Sequence, residues 1–270
     1  MASSIPPGTV LQFGCGNMGG AMLAGWLAAG LDPAAFTVID PMLAEAPAGV
    51  RLLEAAPHGE ASADFVLLGF KPQQLNESAV AVRPHVGKGT LLLSILAGTE
   101  CATLRGLFPE AAAIVRVMPN LAAALGKSPI ALFGDATGSA RTRIEALMAP
   151  LGPAEWLADE EAMHLVTALA GSGPAFVYRF IDALAEAATA LGFPRPQADR
   201  LALAMVEGAA ALAAAAPDSP GELARRVASP GGTTEAGLRV LDDKRRLVAL
   251  LTDTLRSARD RSVEMTGGAR

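Results

Sequence analysis

Gly14, Cys15, Gly16, Asn17, Met18 and Gly19 set out the spacing Gly-x-Gly-x-x-Gly directly after an apolar run near the start of the chain. Between a strand and a helix, the first glycine permits a tight turn and the second lets a pyrophosphate approach the backbone. The third lets helix and sheet lie close. The unpaired amides of the helix start then face the phosphates. Beyond the motif Met18, Met22 and Trp26 recur at helical spacing, and Gly30 is placed to end that helix. The pattern alone is common. Its setting makes dinucleotide binding through Gly14, Gly16 and Gly19 the expected reading, ahead of a plain glycine turn.

Asp40 stands 21 residues past Gly19, at the end of the second apolar run. A carboxylate there accepts both ribose hydroxyls and repels a 2′-phosphate, and no arginine follows before Arg51. Taken alone this favours NADH over NADPH; the competing reading is a cap on the turn before Pro41. Lys71, in Gly69-Phe70-Lys71-Pro72, and Asn120, in Met118-Pro119-Asn120, end two further strand candidates. Strand C-termini form the rim where an open α/β sheet places ligands. A lysine there can reach a ribose hydroxyl or a substrate, or be only a solvated charge.

A second glycine-rich stretch, Ser229-Pro230-Gly231-Gly232-Thr233-Thr234, precedes a helical segment expected over 235–241. Glycines and hydroxyls at a helix N-terminus suit a small carboxylate, and equally a Ser/Thr cap on a turn. His58, His85 and His164 are scattered without ligand spacing to one another or to the cysteines, so no metal site is expected. No nucleophile elbow is present. With a nicotinamide as the reactive group, hydride transfer is the default chemistry, and the protein's task is orientation.

These residues need a scaffold. Strand candidates at 9–13, 36–40, 65–69, 90–95, 113–117 and 130–133 alternate with helical patterns, several of them continuously apolar, as parallel strands covered on both faces are. The alternation predicts a doubly wound, Rossmann-like sheet. After Asp159 only helical faces recur: Phe176, Phe180, Leu184 and Leu191; Leu201, Met205, Gly208 and Leu212; Leu247, Leu251 and Leu255. The first two helices are apolar around most of their circumference, more than so short a domain can enclose, which points to a partner subunit or a thick interdomain contact. The expected domains are 1–158, dinucleotide-binding, and 159–270, helical, for dimerisation and substrate.

Composition narrows the class. With 270 residues and 51% apolar content, two domains are expected. A net charge of −5 with interleaved signs shows no footprint for nucleic acid. Two cysteines make no disulfide framework, so a reduced, cytoplasmic setting is the simpler reading. Residues 1–8 lack the features of a signal peptide. The longest greasy stretch, 201–216, carries Glu207 and falls short of the ~20 residues that span a bilayer. A soluble protein with a small-molecule substrate is expected.

The chain resembles the pyrroline-5-carboxylate reductase family. The resemblance rests on the first glycine motif with Asn17-Met18, Lys71-Pro72-Gln73, Val117-Met118-Pro119-Asn120, Gly171-Ser172-Gly173-Pro174-Ala175 and the 229–234 stretch, in the family's order over nearly the whole chain. It implies that Gly14, Gly16, Asn17, Met18 and Gly19 hold the pyrophosphate, and that Lys71 and Pro72 line the nicotinamide end with Asn120 nearby. Ser229, Gly231, Gly232, Thr233 and Thr234 would bind the substrate carboxylate, with Thr234 resembling the family's proposed proton donor. An alcohol is a poor acid, so a proton-positioning hydrogen bond is the better description of Thr234. The resemblance further implies a homodimer through intertwined helical domains, a partner's loop completing each site, and assembly into pentamers of dimers.

Three positions depart from the family pattern. Asp40-Pro41 replaces the small or basic residues common after the second strand in NADPH users. The 41–63 stretch is shorter than usual, and Ala204 stands where a glutamine is common. Two other functions compete. A related two-domain reductase of imines or β-hydroxy acids would place a lysine on a long helix of the second domain, and 175–191 and 201–216 contain none. A dinucleotide-sensing regulatory module would not need 229–234.

Overall fold

Short apolar runs separated by turns build the first part of the chain, and a computed structural model describes residues 8–57 and 63–267 of it. His58 and part of the 41–63 stretch lie outside the described residues. In order the elements are β1 (Val10–Phe13), α1 (Asn17–Ala28), β2 (Phe36–Ile39), β3 (Arg51–Leu53), β4 (Phe65–Leu68), α2 (Leu75–Val82), β5 (Leu91–Ser94), α3 (Cys101–Leu107) and β6 (Ala113–Met118). Then follow β7 (Ile130–Gly134), α4 (Gly138–Met148), β8 (Ala154–Trp156) and α5 (Ala162–Val166). Helices alone complete the chain: α6 (Gly173–Ala190), α7 (Arg195–Ala215), α8 (Pro220–Arg226), α9 (Thr233–Asp242) and α10 (Arg246–Gly267).

The strands form one sheet in the order β3-β2-β1-β4-β5-β6-β7-β8. The chain reverses direction across the sheet between β1 and β4, which pair in parallel from Val10↔Phe65 to Phe13↔Leu68. That junction is the switch point at which such sheets open a crevice. All six strand candidates are present, and the doubly wound sheet is as expected. β7, however, runs antiparallel to β6. Only a 3-10 turn, Leu121–Leu125, joins them, and a parallel return needs a longer crossover, usually a helix. The three-residue strands β3 and β8, at the two ends of the sheet, were not expected; a run that short carries no readable periodicity.

Each face of the sheet buries its own core. Met22, Trp26, Phe65, Leu67, Ile144 and Leu147 pack on one side beneath α1 and α4. Val66, Leu68, Leu92, Leu104 and Phe108 pack on the other beneath α2 and α3. Burying a large apolar side chain is worth about 1.5–3 kcal/mol, so covering all four residues of β4 anchors the middle of the sheet. Trp26 stacks on Phe36 at 5.4 Å and donates its indole N–H to Leu147 O at 2.7 Å. α1 ends as expected: Gly30 has φ +88°, and Leu31 N–H reaches back to Trp26 O.

The chain divides into two compact units, Met1–Gly171 with Ala258–Arg270, and Ser172–Ser257. β8 is the last strand before the expected boundary at residue 158; the first unit continues through α5 and the π-helical turn Thr167–Gly171. It also takes up the end of α10, where His164 Nδ1 and Ser262 Oγ lie 3.0 Å apart. In the second unit α6 and α7 meet through Ala185, Ala198 and Ala202, while Phe180, Leu203, Met205 and Leu212 are exposed. Among the described residues no single helix is long and apolar enough to cross a membrane.

Candidate active site

The glycine motif forms the turn from β1 into α1, at the switch point. Gly14 has φ +86°, and a Cβ on it would lie 2.6 Å from Phe70 N. Only glycine fits where the rims of β1 and β4 touch. A Cβ on Gly19 would lie 2.6 Å from Gln12 Nε2, so this glycine serves the contact of helix with sheet. Gly16 is different. Its φ is an ordinary −67°, and a Cβ there would meet nothing within 4 Å. Neither strain nor packing requires glycine at 16; the open space above it is what an approaching pyrophosphate needs. Asn17 and Met18 begin α1, whose N-cap offers no side-chain acceptor to the first amides, leaving those donors for a ligand.

Asp40 follows β2 on the same rim. Its Oδ2 accepts the Cys15 N–H at 2.7 Å and its Oδ1 accepts the Met42 N–H at 2.9 Å. The turn-capping reading is as expected, and each carboxylate oxygen keeps a further lone pair for another donor. The Cys15 thiol beside it is pushed up, by burial first and then by the Asp40 charge. Arg51 begins β3 level with Thr37, while Ile39 pairs with Leu53 at the rim. The nearest following arginine thus starts two residues below the rim.

Lys71 and Pro72 leave β4 through Gly69, whose N–H donates to Phe13 O at 2.7 Å. Lys71 is exposed, and its backbone N–H is held by Gln74 Oε1 at 3.1 Å. Asn120 is buried, and its side chain ties two turns together. Its Oδ1 caps the following 3-10 turn through Ala122 N–H, and its Nδ2 donates to Ala170 O at 3.0 Å, inside the π-helical turn that ends at Gly171. π turns of this kind recur at functional sites. This tie joins two stretches that sequence reading treated separately.

In the second unit the 229–234 stretch is a turn closed by Gly232 N–H on Ser229 O at 2.9 Å, with Gly231 at φ +72°. Gly232 caps α9 without a side-chain acceptor, so Thr233 and Thr234 open the helix two residues earlier than expected, with both side chains exposed. The Gly231 N–H donates to Glu235 Oε2 at 2.8 Å, and Arg239 pairs with the same oxygen. A backbone amide of this turn already holds a carboxylate.

Two polar residues escaped sequence reading. Gln12 is fully buried within β1, under the glycine turn; a lone glutamine in an apolar strand was the available signal. Arg116, buried on β6, pairs with Glu160 at 2.7 Å. Among the described residues no three His, Cys, Asp or Glu side chains gather as a metal site would need.

Comparison with known proteins adds to this geometry. Residues 9–98 match the family model described as NADP oxidoreductase coenzyme F420-dependent, and residues 160–265 the model described as pyrroline-5-carboxylate reductase dimerisation. The chain is 35% identical over 259 residues to the pyrroline-5-carboxylate reductase of Pseudomonas aeruginosa, covering 93% of this chain and 94% of that protein. With the Escherichia coli enzyme of the same name it shares 33% identity over 239 residues, 86% of this chain and 88% of the other. The solved structure of a pyrroline-5-carboxylate reductase from Coxiella burnetii matches with TM-score 0.89 at 29% identity, over 96% of this chain and 99% of that one.

Proposed function

Because the chain belongs to the pyrroline-5-carboxylate reductase family, we propose that it transfers hydride from a reduced nicotinamide to the C=N carbon of 1-pyrroline-5-carboxylate, giving L-proline. The observation that carries the dinucleotide half is Gly16, a glycine that nothing in the protein itself requires. The amides of Gly16, Asn17 and Met18 hold the pyrophosphate, with Gly14 and Gly19 shaping the turn. Asp40 takes the adenosine ribose hydroxyls, and NADH is used at least as well as NADPH. Lys71 and Pro72 line the nicotinamide end, while Asn120 positions the π turn beside it through Ala170. The bound nicotinamide supplies the hydride.

The substrate carboxylate sits at the turn of Ser229, Gly231, Gly232, Thr233 and Thr234, on the hydroxyls and the uncapped amides at the start of α9, with Gly231 and Gly232 shaping the turn. An iminium accepts hydride far better than a neutral imine, and the Thr234 hydroxyl holds the ring nitrogen by hydrogen bond as its charge changes. Orientation of the ring against the nicotinamide is the main catalytic effect. The chain self-associates through residues 160–265 as a homodimer in which the partner's 229–234 turn completes each site, and dimers assemble further into pentamers of dimers. The free thiols of Cys15 and Cys101 suit the reducing cytoplasm. Mixing purified protein with pyrroline-5-carboxylate and NADH or NADPH, while following nicotinamide absorbance and proline, tests the reading. Turnover with NADH at least as good as with NADPH is expected; strong preference for NADPH would overturn the role given to Asp40, and no proline from either would overturn the function.

A further inference from the structure

We propose that Gln12 is a positioning residue for the dinucleotide, acting through one peptide plane that it clamps jointly with Asp40. The inference rests on the reading of the glycine turn as the pyrophosphate site. Gln12 is fully buried between Leu11 and Phe13 in the central strand β1. A buried amide costs free energy unless its polar atoms are paired. Only half of this one is. Its Nε2 donates to the Gly14 carbonyl at 3.0 Å, and its Oε1 is buried with no partner. The carbonyl it serves dictates the orientation, because only the NH2 end can donate.

The Gly14 carbonyl belongs to the same peptide as the Cys15 N–H, and that N–H donates to Asp40 Oδ2 at 2.7 Å. One peptide plane is therefore held at its oxygen by Gln12 and at its hydrogen by Asp40. Gly14, at φ +86°, is a hinge with little intrinsic resistance to rotation. The amides that follow are those of Gly16, Asn17 and Met18, and Gly16 opens onto free space. A tilt of the clamped peptide re-aims all three donors. Gln12 also accounts for Gly19, since a Cβ there would press on Nε2 at 2.6 Å. A methionine would fill the same volume without an orphaned oxygen; what it lacks is the donor.

That contrast supplies the test. In Gln12→Met the cofactor-free protein should keep its Tm or gain about 2–4 °C from losing the unpaired oxygen. Its Kd for NADH, by titration calorimetry, should rise about tenfold, with kcat at saturating NADH within about twofold of the parent. Gln12→Met and Asp40→Ala should combine less than additively in Kd, because both release one peptide. A Gln12→Met protein that loses Tm and affinity together would make Gln12 merely structural, and unchanged affinity in a stable variant would overturn the proposal outright. Failure of the parent protein itself to bind NADH or NADPH would instead overturn the phosphate-turn reading beneath it.

Discussion

A Cβ added at Gly16 would meet no protein atom within 4 Å, so Gly16→Val separates ligand binding from folding. Its Tm should move by no more than an ordinary surface substitution, while the Kd for NADH rises at least about tenfold in a calorimetric titration; a large fall in Tm would contradict the assignment. Thr234→Ala should lower kcat by about tenfold to a hundredfold with NADH affinity unchanged, read by steady-state kinetics beside direct binding. Unchanged turnover would remove Thr234 from the mechanism. At this scale the sequence spoke clearly where spacing carries meaning, as at Gly14, Gly16 and Gly19. It was silent where meaning lies in a contact across the fold. Nothing in residue order tells that Asp40, besides capping its own turn, holds the Cys15 amide, or that Asn120 reaches Ala170.

Elements are held in place by polar ties as well as by core. Glu160, just before α5, pairs with buried Arg116 on β6 and accepts the Cys101 N–H at the start of α3 at 2.8 Å. Burial, and then the Glu160 charge, push the Cys101 thiol from its ordinary value near 9.0 up to about 12. The sign follows from linkage: the unfolded thiol ionises first, so this contribution is complete below about pH 9 and is lost as pH rises towards 12. Glu160→Gln removes the repelling charge and leaves Arg116 short of its counter-ion. The variant should lose about 2–3 kcal/mol in urea unfolding, and Cys101 should alkylate faster at pH 8.5 than in the parent. An unchanged alkylation rate would contradict the electrostatic account. The six longer strands were legible because continuous apolar runs leave a pattern. β3 and β8 are too short to leave one, and the reversed β7 depends on the length of its connection, which pattern alone does not convey.

The whole molecule leaves apolar helices uncovered in its second unit, with Phe180 on α6 and Leu203 and Met205 on α7 exposed. The all-round apolar periodicity of these helices was legible beforehand, because too little chain follows Asp159 to bury it. Leu203→Asp should shift the assembly towards monomer in sedimentation velocity and abolish turnover, while NADH binding by the first unit persists; a fully assembled, active variant would contradict self-association through this face. The central claim, that the chain delivers hydride to a cyclic imine, is tested most directly with NADH carrying deuterium on the transferable face of its C4. The account predicts proline with one deuterium on the ring carbon that was double-bonded to nitrogen. Nicotinamide oxidation with no label in proline, or no proline at all, would contradict it.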